Sequence, residues 1–247
     1  MRAMANGLVA DSVSRAFGDD QAVQDVTPHV MPGQIHALVG LNGAGKTTLL
    51  RMLLGMLRPD QGRVLINGRN IAEAPSNMWC RVGHLVDSAF CYPELTVTEN
   101  LRAVARLRGR PAAEADLAVN RGIADLRLSH WADRRTRALS AGNRQRLGLA
   151  GALMGSPDVL ILDEPTGNLD PGGVVVVRRL LTIAATRQAA VLLSSHHLDE
   201  MARIADAISV LHRGRIIGTL DPHGVDLERR FFNMVLADDE AEPGEAA

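Results

Sequence analysis

The sequence predicts an α/β protein in which a parallel-sheet core is interrupted by a helical insert. Three observations point there. Four short runs, Ile35–Val39, Val159–Leu162, Ala190–Leu193 and Ala207–Leu211, are apolar but for His36 and Ser209, as strands buried on both faces of a parallel sheet are. A glycine-rich loop, Gly40-Leu41-Asn42-Gly43-Ala44-Gly45, joins the first run to a helical pattern over Thr47–Met56. From about Thr96 to Gly155 the pattern is helical before the next apolar strand returns.

Taken in order, residues 7–39 read as short strands with turns at Gly18-Asp19-Asp20 and Pro32-Gly33. Pro59-Asp60-Gln61-Gly62 marks a further turn, then a strand over Arg63–Ile66, a second turn at Asn67-Gly68 and a short strand over Val82–Val86. The insert spans roughly residues 87–156, with helices opening near Glu99, Pro111 and Ser140. Asp238 to Ala247 carry five acids with Pro243 and Gly244, the composition of a solvated, disordered tail.

At 247 residues the chain is one large domain or a core with an inserted subdomain, and 46% apolar with 22% charged residues is ordinary for a globular protein. A net charge of −1 supplies no electrostatic reason for a nucleic-acid partner. No run approaches a membrane span, and the N-terminus lacks the apolar region of a signal peptide. Cys80 and Cys91 have no metal-ligand spacing and read as reduced thiols.

Lys46 is the single lysine among 27 basic residues, and it follows the glycine-rich loop directly. Gly40 to Lys46, with Thr47 and Thr48, fits the phosphate-binding loop pattern Gly-x4-Gly-Lys-[Ser/Thr]. Backbone N–H groups of such a loop cradle phosphates. A lysine ammonium is a compact charge on a thin stem, and threads to the β- and γ-phosphates where a planar guanidinium does not fit. The loop thus predicts a nucleoside triphosphate bound with Mg²⁺.

Val159-Leu160-Ile161-Leu162 runs into Asp163-Glu164, so two carboxylates stand at the carboxyl end of a buried strand, beside the loop. Asp163 is suited to hold Mg²⁺ with Thr47, and Glu164 to orient or deprotonate an attacking water. Such a pair can also open a helix as caps, but its position after a phosphate loop favours the chemical role. Ser140, at the head of Ser140-Ala141-Gly142-Asn143, offers a hydroxyl and backbone N–H groups to an anion, or acts simply as an N-cap.

Taken together, Leu139-Ser140-Ala141-Gly142-Asn143 with Gln145-Arg146-Leu147 behind it resembles the signature motif of ATP-binding cassette (ABC) proteins, and the resemblance runs from Phe17 to about Leu236. It implies a P-loop NTPase core of ABC type over 1–86 and 156–236, a helical signature subdomain over 87–155, and a disordered acidic tail over 237–247. It also implies that two such domains pair head to tail, with Ser140, Ala141, Gly142 and Asn143 facing a nucleotide on the opposite subunit's loop. Phe17 matches the aromatic that stacks on adenine, His196 the switch histidine that reads the γ-phosphate, with His197 its alternative in register, and Asp170 the carboxylate that acts across the dimer interface. The remaining implication is a separate transmembrane permease, which holds the chain at the cytoplasmic face of the membrane.

Three positions depart from the family pattern: Ala141, Asn143 and Asp87. Asp87 stands where a glutamine contacts Mg²⁺ and relays the nucleotide state to the permease; a carboxylate there can ligate the metal but adds negative charge near the γ-phosphate. Ser88 to Leu95 resembles the equivalent stretch in drug and antibiotic exporters. Trp79, Phe90 and Tyr92 cluster near it, fitting either a groove for a partner helix or packing of the insert on the core. The expected function is an ATP-hydrolysing exporter subunit. The alternatives are a soluble ABC ATPase working on a protein assembly and an ATP-binding switch of low turnover.

Overall fold

A computed structural model of the chain describes residues 7–89 and 91–241. Along the chain lie β1 (Leu8–Phe17), β2 (Asp20–Val26), β3 (His29–Val30), β4 (Ile35–Val39), α1 (Lys46–Leu53), β5 (Gln61–Ile66), β6 (Arg69–Asn70) and β7 (Val82–Leu85). The helices α2 (Val97–Leu107), α3 (Ala112–Asp125) and α4 (Ala141–Leu153) follow. The chain then returns through β8 (Val159–Asp163), α5 (Pro171–Thr186), β9 (Ala190–Ser195), α6 (Leu198–Ala202), β10 (Ala207–His212), β11 (Arg215–Leu220) and α7 (Leu227–Ala241).

The strands form two sheets. One is antiparallel, in the order β2-β1-β5-β6 with β3 on β1; the other runs β11-β10-β4-β9-β8-β7 and is parallel except for β11. Period-two alternation explains the apolar runs. Ala37, Val39, Leu160, Leu162, Val191 and Leu193 enter one core with α4 and α5, while Leu38, Ile161 and Leu192 point oppositely, onto α1 and the antiparallel sheet. Helix α1 is therefore sandwiched between sheets, with Leu49, Leu50, Met52 and Leu53 fully buried. Fixing α1 fixes the loop that precedes it.

The insert is helical as expected, and its caps are legible. Thr96 and Glu99 form a reciprocal capping box at the start of α2, and Ser140 caps α4. Buried Asn100 accepts from the Tyr92 N–H at 2.8 Å and donates to the carbonyls of Tyr92, Leu95 and Thr96, pinning the edge before α2. Of the clustered aromatics, Trp79 packs against the core beside Ile71, Tyr92 is half exposed, and Phe90 lies outside the described residues.

Two expectations are corrected and one strand is added. Helix α1 stops at Leu53 rather than Met56, because Gly55 turns the chain at φ 66°. β11, which shows no strand pattern, pairs antiparallel with β10. Residues 237–241, expected to open a disordered tail, are helical, since α7 continues to Ala241. Its last turn is held by ion pairs of Asp238 to Arg215 and of Asp239 to Arg213 and His212. Residues 242–247 lie outside the described part.

Candidate active site

β4 ends at Val39, in the middle of the parallel sheet, and the loop Gly40–Gly45 turns the chain into α1. At Gly45 the turn needs φ 99°, and an added Cβ would lie 2.4 Å from the Ala22 carbonyl oxygen, so glycine is required by both conformation and space. Lys46 opens α1 and is 8% exposed. Its Nζ donates to the carbonyls of Gly40 at 2.7 Å and Leu41 at 3.1 Å, folding the side chain back through the loop. Burial holds its ammonium below the ordinary lysine pKa, opposed by Glu164 and Asp163.

Neighbouring β8 delivers the two carboxylates. The Thr47 hydroxyl donates to Asp163 Oδ2 at 2.7 Å, bringing together the two residues expected to share a metal. The Ser194 hydroxyl, at the end of β9, donates to the other Asp163 oxygen. Glu164 has φ 46°, unusual for a residue with a side chain, and its N–H is held by both the carbonyl and the hydroxyl of Ser194. One Glu164 oxygen, Oε1, lies 2.8 Å from His196 Nδ1, while Oε2 is buried with no hydrogen-bond partner. A buried carboxylate oxygen left without a partner is the group a bound water would satisfy. His196 is thus the histidine on Glu164, and its ring lies 3.9 Å from that of His197.

Lys46, Thr47, Asp163 and Glu164 face a cleft of about 750 Å³ also lined by Phe17, Asn42 to Thr48 and the turn Arg213–Arg215. That size suits a nucleotide. Phe17 is 48% exposed at the cleft rim, with the Arg15 guanidinium over its ring 5.0 Å from the centre.

Asp87 and Asp170 both pair within this chain. Asp87, at φ 67° just beyond β7, makes no hydrogen bond to Thr47 or Asp163; both its oxygens are taken by Arg51 of α1, at 2.5 and 3.0 Å. Asp170 caps α5 and pairs with Arg146 of α4 in the same chain. Ser140, Ala141, Gly142 and Asn143 form the start of α4 and do not line the cleft around Lys46. Gly142 is needed there, since a Cβ would lie 2.6 Å from the Asn168 carbonyl oxygen. Sequence reading assigned no supporting role to Ser194, Arg51, Gln145 or Gly214, which hold the site from behind.

A phosphate loop, an acidic strand end and a helical insert with an N-capped signature turn define a nucleoside-triphosphatase of cassette type. Comparison with known proteins agrees. The ABC transporter family profile matches residues 23–167. The bacitracin transport ATP-binding protein BcrA of Bacillus licheniformis is 32% identical over 95% of this chain and 76% of its own length. The Nod factor export ATP-binding protein I of Paraburkholderia xenovorans is 38% identical over 84% of this chain and 68% of its own. A solved ATP-binding subunit of an ABC transporter superposes with a TM-score of 0.82 at 28% identity, covering 96% of this chain and 99% of that one. A dimeric cassette in a post-hydrolysis state, bound to ADP and Pi, shares the fold with a TM-score of 0.80 at 21% identity, over 88% and 99% of the two chains. The chain belongs to the ABC transporter family. It is an ATPase of that family, and its relatives include ATP-binding proteins of bacitracin transport and Nod factor export.

Proposed function

We propose that this chain hydrolyses ATP with Mg²⁺ at a site completed by a second nucleotide-binding subunit, and that the energy drives export through a permease on a separate chain. The observation that carries the reading is the meeting of Thr47, Asp163, Glu164 and His196 at the mouth of the Lys46 loop. Thr47 and Asp163 fit a hard cation that one hydroxyl, one carboxylate and the substrate's own phosphates would hold. Magnesium there would neutralise phosphate charge. Lys46, on leaving the Gly40 and Leu41 carbonyls, would donate to the phosphates. Phe17 would stack on the base. Glu164 would orient water and accept its proton through the oxygen that now lacks a partner, with His196 holding the other oxygen in place.

The signature residues Ser140, Ala141, Gly142 and Asn143 sit away from this chain's own cleft, which supports their service to a nucleotide on the paired subunit. No described helix is long and apolar enough to cross a membrane, so attachment at the cytoplasmic face would run through the permease. The names of the relatives, a bacitracin transporter and a Nod factor exporter, favour a drug, antibiotic or lipid-like cargo. The test is phosphate release from ATP with and without magnesium, by the purified chain and by the chain recovered with its membrane partner. ATP-dependent release that Lys46→Ala abolishes supports the site. A wild-type chain that binds ATP but releases no phosphate in either form would overturn hydrolysis, and one that stays wholly unbound to membranes in its native cells would overturn the permease.

A further inference from the structure

The acidic end of α7 is folded, and the partners that fold it belong to the rim of the nucleotide cleft. Arg213 and Gly214 form the two-residue turn between β10 and β11. Both have positive φ, 45° and 76°, the conformation of a tight hairpin turn that suits Asn-Gly and costs an arginine in its first position. Asp239 meets this residue directly: its Oδ1 lies 2.8 Å from the Arg213 guanidinium and 3.0 Å from His212 Nε2. Asp238, 15% exposed at its side chain, accepts from Arg215 at 3.1 Å on the other side of the turn. Hydrogen bonding to His212, helped by Arg213, holds the Asp239 carboxyl below the usual aspartate range.

From the turn the connection continues into the phosphate loop. The Gly214 N–H donates to the Ala44 carbonyl at 3.0 Å, and the Gly214 carbonyl accepts from Gln24 N–H at 2.8 Å. A Cβ on Gly214 would lie 2.7 Å from the Ala22 carbonyl oxygen, the same atom that crowds Gly45. The turn is thus wedged between β2 and the loop with no room to slide. Ala44 N–H donates to the Leu41 carbonyl at 3.2 Å within the loop, so its carbonyl contact with Gly214 ties the loop to the turn.

We propose that Asp238 and Asp239 are positioning residues for the nucleotide site: the last turn of α7 holds the Arg213-Gly214 turn, and that turn sets the phosphate loop through Ala44. The proposal rests on the reading of the loop as a nucleotide site. It makes the C-terminal helix part of the ATP-binding apparatus, acting from outside the cleft.

The test is ATP affinity and steady-state phosphate release, with magnesium, for Asp238→Asn/Asp239→Asn against the wild type. Losing the clamp should raise the apparent dissociation constant and KM about three- to fivefold while kcat at saturating ATP stays within about twofold, since the reacting groups are untouched. Asp239→Glu in place of Asp239→Asn should recover most of the affinity. A melting temperature within a few degrees of wild type separates this effect from unfolding. Should the double variant fail to fold, Asp239→Asn alone, which leaves Asp238 on Arg215, carries the same measurement. Unchanged affinity in the folded variant, or a fall in kcat with KM constant, overturns the proposal. Lys46→Ala measured in parallel distinguishes the two levels. ATP binding that it abolishes upholds the site whatever α7 does, whereas a wild type that binds no ATP refutes the site itself.

Discussion

The side-chain amide of Gln145 donates to the backbone carbonyl of Glu164 at 3.0 Å and to that of Pro165 at 3.3 Å. Gln145 stands in the second turn of α4, the helix that begins with Ser140, and Glu164 carries the carboxylate expected to handle water. One turn of helix therefore ties the element that would serve the partner's nucleotide to the catalytic strand of its own chain. Arg146, the next residue, adds its ion pair to Asp170. Gln145→Ala should lower kcat about fivefold with KM nearly constant, the worth of one net hydrogen bond spent on orientation. Gln145→Glu should do no better, because a carboxylate cannot donate to either carbonyl. Steady-state phosphate release measures both, and a wild-type kcat in Gln145→Ala would reduce the contact to packing.

Glu164→Gln keeps the size of the side chain and its place beside His196 but removes the base. Hydrolysis should fall by about 10²–10⁴ while ATP binding persists. Because the nucleotide then survives between subunits, light scattering should show an ATP-dependent dimer that the wild type forms only transiently. Turnover at the wild-type rate would take Glu164 out of the mechanism.

Lys46→Arg tests the loop's shape with the charge kept. Nζ fits between the Gly40 and Leu41 carbonyls while the residue is 8% exposed, and a guanidinium presents a wider, planar head to the same gap. Calorimetry should find ATP affinity reduced by at least about tenfold. An unaltered affinity would mean that the loop tolerates the broader cation.

What could be read in the sequence follows from how local each signal is. Val159–Leu162 announces itself as a strand because both faces are buried with no polar interruption, and Ile35–Val39 does so with His36 as its single polar residue. Lys46, Thr47, Asp163 and Glu164 are legible because glycine spacing and strand ends are local patterns. β11 is not: its residues are mostly half-buried and it lies at the sheet edge, so neither alternation nor a solid apolar run marks it. The acids of α7 suggest solvation only while their partners are unknown, and His212, Arg213 and Arg215 lie 23 to 27 residues earlier. Ser194 is hidden for another reason. A serine continuing an apolar strand gives no hint that its hydroxyl supports Asp163 and its carbonyl supports Glu164.

His36 provides a pH-dependent prediction. It is buried in β4, with Nε2 2.9 Å from the Ser209 hydroxyl, and burial lowers its pKa below the ordinary 6.5. Below pH 6.5 the unfolded chain takes up a proton at this ring before the folded chain does. Its contribution to stability is therefore full above that pH and shrinks as pH falls toward the lowered value. Melting temperatures from neutral to mildly acidic pH should decline less steeply for His36→Gln than for the wild type. Parallel declines would assign the acid sensitivity elsewhere.

The pair Arg51–Asp87 makes the sharpest prediction, because its two halves should move ATP affinity in opposite directions. Arg51 shares α1 with Lys46 and Thr47, and its guanidinium is raised above its ordinary range first by the hydrogen bond to Asp87, with Asp163 contributing more weakly. Asp87 follows the edge strand β7, beside the strand that carries Asp163. Both side chains are close to half exposed, 45% and 44%, so the pair itself adds little to stability, about 0–1 kcal/mol. Arg51 nevertheless feels the charge of Asp163, the carboxylate proposed to hold the metal. Asp87→Asn removes an anion and releases Arg51, so KM for ATP should fall about two- to fivefold. Turnover should fall with it if Asp87 also reaches the metal when nucleotide binds, and the magnesium dependence of hydrolysis should then weaken. Arg51→Ala leaves Asp87 uncompensated and should raise KM by a similar factor. Magnesium and ATP titrations of both variants, alone and with the membrane partner, give the signs directly. If the two substitutions shift KM the same way, the pair is only a surface tether between α1 and the end of β7, and the carboxylate at residue 87 has no part in nucleotide handling.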